Sequence, residues 1–102
     1  MGISNTVMEN DVVFVGKKPI MSYVLAVLTH MNSGHDKVVL KARGSTISKA
    51  VDISQIVKRK FSKDLKISNV EIGTEELPNE QRNENTGDRK RNVSFIAIEM
   101  GR

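Results

Sequence analysis

Apolar positions fall in six blocks along the chain, with a periodicity that changes between them. Val12-Val13-Phe14-Val15 is a short continuous apolar run ended by Gly16, which predicts a strand buried on both faces. Pro19 stands where the first turn of a helix tolerates proline, and Ile20, Val24, Leu28 and Met31 then recur at spacings of four, four and three. Gly34 stops that helix. Val38-Val39-Leu40-Lys41-Ala42 reads as a second strand, and Gly44-Ser45-Thr46 supplies a turn and N-cap for a second helix. Its apolar side is marked by Ile47, Ala50, Val51, Ile53 and Val57, and Lys58-Arg59-Lys60 at its end complements the helix dipole.

The last third changes character. Ile67, Val70 and Ile72 begin a third strand, and Ser94, Ile96, Ile98 and Met100 alternate with Val93, Phe95, Ala97 and Glu99 in a fourth. Between them lies LPNEQRNENTGDRKRN, too poor in apolar residues to fold by itself, so it reads as the tip of a long hairpin. The predicted order is βαβαββ, an α/β two-layer sandwich of two helices on a four-stranded mixed sheet. Residues 1–10 read as a flexible leader, 11–102 as one domain, and 78–92 as a mobile hairpin arm.

Composition narrows the function. A chain of 102 residues builds a modest core but not one that also encloses a deep cleft. It has no cysteine, hence no disulfide framework and no thiolate metal site. No apolar run approaches the roughly 18 residues of a membrane span, and the N-terminus lacks a signal-peptide pattern, so an intracellular soluble protein is expected. The net charge of +4 hides an uneven distribution. Lys17 to Lys66 holds eleven Lys/Arg against three Asp, whereas residues 67–102 hold five basic and seven acidic groups. A basic face is therefore expected, not a uniformly basic surface.

Catalytic constellations are weak. His30 and His35 straddle a helix end with no third ligand nearby in sequence, and Gly16-Lys17-Lys18 lacks the glycine-rich lead and Ser/Thr of a P-loop. No enzyme activity and no cofactor are expected. Recognition of a polyanion remains. Lys17 and Lys18 follow a strand end beside a helix start, where free N–H groups favour anions. Lys41 and Arg43 end the next strand just before a helix, and Lys49 lies one turn into that helix. In a parallel pair both strand ends share one edge, so the two basic turns form one site.

The stretches GKKPIMSYVLAVL and KVVLKARGSTISKAVDISQIVKRKF closely resemble the Alba family of small basic archaeal chromatin proteins, whose fold is similar to the C-terminal domain of the third bacterial initiation factor. The resemblance covers residues 12–77 and 93–100. It implies a homodimer, chromosome-associated in the cytoplasm, that binds double-stranded DNA with little sequence preference and in many members RNA. The dimer body would form a basic saddle and the two arms would reach along the minor groove. Lys17 matches the family's acetylatable lysine, which implies acetylating and deacetylating enzymes as partners. Lys18 matches its neighbour, and Arg43 the arginine of the KARG motif. Phe61 matches the aromatic residue used where dimers meet side by side, with closure of the local core as its alternative role.

The chain departs from that pattern in three places. Ser45 stands where many members carry another arginine, and Asp11 where members often have asparagine, a charge that would repel phosphate if it lay near the basic face. On the arm, Arg82, Arg89, Lys90 and Arg91 compete with Glu80, Glu84 and Asp88, with Glu75 and Glu76 near its base. Weaker compaction of DNA is the expected consequence. An RNA-binding role in RNP assembly would use the same basic surface, and a protein-interaction module would use the acidic arm.

Overall fold

The computed structural model describes residues 8–9, 11–61, 63–78 and 90–102. The elements run β1 (Met8–Glu9), β2 (Val12–Phe14), α1 (Ile20–Asn32), β3 (Lys37–Arg43), a 3₁₀ turn (Gly44–Thr46), α2 (Ile47–Ile56) continued by a π-helical turn (Val57–Phe61), β4 (Lys66–Pro78) and β5 (Lys90–Gly101). The βαβαββ order stands, as a mixed sheet with two helices. The two residues of β1, inside the expected leader, add a short antiparallel strand at the edge, giving the sheet order β1-β2-β3-β5-β4.

The sheet is covered on one face only. Val13, Val38, Leu40, Ala42, Ile96, Ile98 and Met100 point toward the helices and meet Tyr23, Val24, Val27, Met31, Ala50, Ile53 and Val57 in one core. The β2 run is therefore not buried on both faces: Val13 and Val15 are buried, but Phe14 turns to the open side and is 40% exposed. The alternation that a two-layer sheet requires overrides the continuous apolar run. On α1, Val24 and Met31 are buried as expected, with Ile20 and Leu28 packed at the margin. On α2, Val51, expected on the apolar side, is instead 39% exposed to solvent.

Strand β4 carries an irregularity between Ile67 and Asn69, so Ile67 pairs with Met100 while Val70 pairs with Ile98. A bulge of one residue reconciles the odd spacing of Ile67 and Val70 with a common face. That face is the helix side, yet neither helix reaches it: Val70 is 51% and Ile72 74% exposed. At the base of the arm the ladder is regular out to Pro78 opposite Lys90, so these two residues, Arg91 and Asn92 belong to paired strands. Residues 79–89, with the expected arm residues Arg82 and Arg89, lie outside the described residues. Among those described, no helix is long and apolar enough to cross a membrane.

On the open face Phe95 lies down across Gly73, its cross-strand partner: a Cβ at position 73 would stand 2.8 Å from two ring carbons. Gly73→Ala should therefore destabilise the protein by about 1–3 kcal/mol through overpacking, against the gain of about 0.5–1 kcal/mol that alanine otherwise brings to a strand. In a Phe95→Leu background the same change should become neutral or stabilising. Urea denaturation of the four variants in this cycle measures the reversal.

Candidate nucleic-acid interface

The parallel pairing of β2 and β3, with Val12 opposite Val39 and Phe14 opposite Lys41, puts the ends of both strands on one edge. Val15 N–H extends the ladder to Lys41 C=O at 2.8 Å, and the chain then turns through Gly16-Lys17-Lys18. Two side chains hold this turn. The Tyr23 hydroxyl, from α1, accepts the N–H groups of Gly16 at 2.8 Å and Lys18 at 3.1 Å. The Lys49 ammonium, from α2, donates to the carbonyls of the same two residues, at 2.7 Å each. It also lies 5.6 Å from the Tyr23 ring centroid, within reach of a cation–π attraction. The turn is thus tied through the N–H and the C=O of both Gly16 and Lys18, with the Lys17 side chain exposed between them.

This arrangement changes the role of Lys49. Its charge is spent on two carbonyls, so it positions the lysine pair instead of presenting a free cation. Next to the turn, Pro19 precedes α1 without any side-chain cap, leaving the helix N-terminus open beside Lys17 and Lys18. On the neighbouring strand, Arg43 ends β3 and Gly44 follows at φ +57°, a conformation that favours glycine and swings the chain into the 3₁₀ turn. The Thr46 hydroxyl bonds back to the Arg43 carbonyl at 2.9 Å and fixes that corner.

Arg43 and Arg91 line a common groove of about 750 Å³ between the start of α2 and the base of the arm, and Ser45 lines it too. The described part of the arm therefore does bring one of its cations to the strand-end edge. Arg43 is shared: Glu75 lies 3.6 Å from its Nε, with both side chains about half exposed. Lys41 points to the open sheet face, one pleat behind Arg43. The side chain of Lys90 is not among those described.

Comparison with known proteins places this geometry. The sequence profile of Alba matches residues 11–74. The chain is 45% identical to the DNA/RNA-binding protein Alba of Thermoplasma acidophilum over 94 residues, covering 92% of this chain and 98% of that protein. It is 50% identical to DNA/RNA-binding protein Alba 1 of Archaeoglobus fulgidus over 74 residues, covering 72% of this chain and 83% of that one. Among solved structures, Alba from Thermoplasma volcanium superposes with a TM-score of 0.79 at 45% identity, covering 89% of this chain and 99% of its own. ALBA1 of Trypanosoma brucei shares the fold at 16% identity, TM-score 0.68, covering 94% and 72%. The chain belongs to the Alba family.

Within the Alba frame the departures take on definite places. Ser45 lies on the basic edge, inside the Arg43–Arg91 groove. Asp11 does not: it precedes β2, five residues from Gly16, or about 16 Å at roughly 3.3 Å per strand residue. That exceeds the screening length of about 8–10 Å in ordinary salt, so its expected repulsion of phosphate is largely screened. Its carboxylate instead accepts from His30 Nε2 at 2.9 Å, and the same N–H is shared with the Lys37 carbonyl at 3.1 Å. Neither acceptor can donate, which fixes the proton on Nε2.

His35 stacks on His30 with ring centroids 4.0 Å apart and 5° between planes. The fold thus supplies the third ligand type that the sequence spacing lacked, since Asp11, His30 and His35 bring ligand atoms within 4.8 Å of one another. Their arrangement is a hydrogen-bonded latch, not a coordination shell. Parallel rings aim their in-plane lone pairs past any shared ion, and Nε2 already serves a backbone carbonyl. Phe61 is 52% exposed at the end of the π turn, so it does not close the core.

Tyr23→Phe removes the acceptor for two N–H groups and should cost about 1–3 kcal/mol in stability, measured by denaturation. It should also loosen Gly16–Lys18 and weaken nucleic-acid binding with Lys17 and Lys18 both still present. Faster amide hydrogen exchange at Gly16 and Lys18, without change in β3 and β5, is the expected signature.

Proposed function

We propose that the protein binds double-stranded DNA as a homodimer, through phosphate contacts with little sequence preference, and associates with the chromosome in the cytoplasm. The observation that carries this reading is the clamped Lys17-Lys18 turn standing on the same edge as Arg43, next to an open helix N-terminus. These are charges on a fixed backbone, suited to phosphate and not to base edges. Two archaeal relatives bearing the name DNA/RNA-binding protein support nucleic acid as the ligand. That name also favours RNA as the second reading, and duplex DNA against structured RNA at matched salt separates the two. The role is binding and not catalysis.

A dimer answers the uncovered strip on β4. Ile67, Val70 and Ile72 face the helix side without a helix above them, and Val51 of α2 is exposed as well. Apolar surface of this kind in a small protein fits burial against a second copy. Phe61, exposed after three cations, is the residue for contacts between dimers on the nucleic acid. Lys17, exposed at the tip of the turn, is open to acetylation by a modifying enzyme and to its reversal. Removing its charge leaves the clamp intact, because the clamp uses only the backbone of its neighbours.

Two outcomes test this reading. Duplex affinity should fall steeply with salt, at about −0.9 in log K against log salt for each phosphate neutralised, and Lys17→Gln should lower both the affinity and the slope while leaving thermal stability unchanged. A slope near zero in a salt titration would exclude a phosphate-reading surface. Ile72→Asp should shift the protein to a monomer at micromolar concentration in sedimentation velocity, with duplex affinity falling as the second basic turn is lost.

A further inference from the structure

The sheet face away from the helices carries two aromatic rings that the proposed duplex edge does not use, next to Lys41 and to Arg43 at the corner the two surfaces share. Phe14 from β2, Lys41 and Arg43 from β3 and Phe95 from β5 line one shallow depression of about 230 Å³, with Glu75 and Thr46 at its rim. This is below the roughly 300 Å³ at which enclosed small-molecule pockets begin. Phe14 is 40% exposed, and Phe95, half-buried on the same face, packs its ring over Gly73. We propose that this face is a second nucleic-acid site, a stacking platform for the unpaired bases of a single strand. The proposal rests on the nucleic-acid reading above and extends it to a different face and a different form of the ligand.

The chemistry comes from the pairing of rings with cations. Phe14 is directly beside Lys41, and Arg43 directly beside Phe95, in the sheet register. Each ring thus has a cation on the adjacent strand, the combination that binds a base by its π-face and the phosphate that follows it. The register also excludes a duplex. Phe14 and Phe95 are two strands and two residues apart, about 12 Å at ordinary strand spacings. Successive bases of a duplex strand rise about 3.4 Å and turn their faces to one another, so they cannot lie on both rings. An extended single strand running diagonally over β3 can. Glu75, beside Arg43 at 3.6 Å, lines the same depression and partly offsets its charge there.

The test compares 12-nucleotide single strands of equal charge, one of thymidines and one of abasic tetrahydrofuran units, by fluorescence anisotropy at matched salt with a duplex alongside. The native protein should bind the base-bearing strand about tenfold more tightly than the abasic one. Phe14→Leu and Phe95→Leu should each bring that ratio toward one and leave duplex affinity unchanged. The comparison on the native protein needs no variant, so it stands even if Phe95→Leu folds poorly. Equal binding of the two strands, or no binding of either, overturns the platform. A change of oligomeric state in Phe14→Leu also overturns it, since the face would then join two copies of the chain. Duplex binding without discrimination between the strands removes the platform and leaves the proposed function; discrimination without duplex binding does the reverse.

Discussion

The lysine half of the basic edge depends on a short turn held by two side chains from two helices. Two adjacent lysines repel each other and gain nothing from the core, so a free Gly16–Lys18 turn would spread its charges over many conformations. Ordering each residue costs about 1–2 kcal/mol in backbone entropy. Tyr23 and Lys49 offset that cost with four hydrogen bonds to the backbone, two of them from a cation. On the proposed reading, a nucleic acid then meets lysines whose backbone is already ordered and does not have to order it on binding.

The second constraint is that two helices cover only one face of the sheet, and not all of that. Core residues collect where α1 and α2 lie over β2, β3 and β5. What remains sorts by position: strand ends become the basic edge, the helix side of β4 becomes a bare apolar strip, and the far face is left to alternate Phe14, Lys41, Arg43 and Phe95. The roles proposed for binding, pairing and stacking thus fall on largely distinct surfaces that meet at Arg43, and residues away from that corner can be altered one at a time.

The order of elements was legible because helical and strand periods switch cleanly along the chain, and the shared edge of Lys17, Lys18 and Arg43 followed from the polarity of a parallel pair. What was not legible was long-range. Tyr23 draws no attention in the sequence; only its hydroxyl, five to seven residues from its partners, shows its part in the turn. Lys49 reads as a free cation because its acceptors are 31 and 33 residues away. The apolar run at β2 reads as doubly buried, since a sequence does not say how many faces its neighbours will cover. Ile67 and Val70 break the strand period, and that irregularity was the visible trace of the bulge.

The acidic residues of this chain act according to place, not number. Asp11 is tied to His30 at the far end of β2, so the substitution that looks most adverse in sequence has little electrostatic reach to the lysine turn. Glu75 looks milder, near the base of an arm, yet it is the described acid that touches a residue of the basic edge. Its pair with Arg43 is long and half exposed, of a kind worth about 0–1 kcal/mol. A phosphate competing for the same guanidinium can displace it at small cost. Glu75 therefore tempers Arg43 without cancelling it, and together with the missing cation at Ser45 it gives a weakened edge on β3 beside an intact one at the lysine turn.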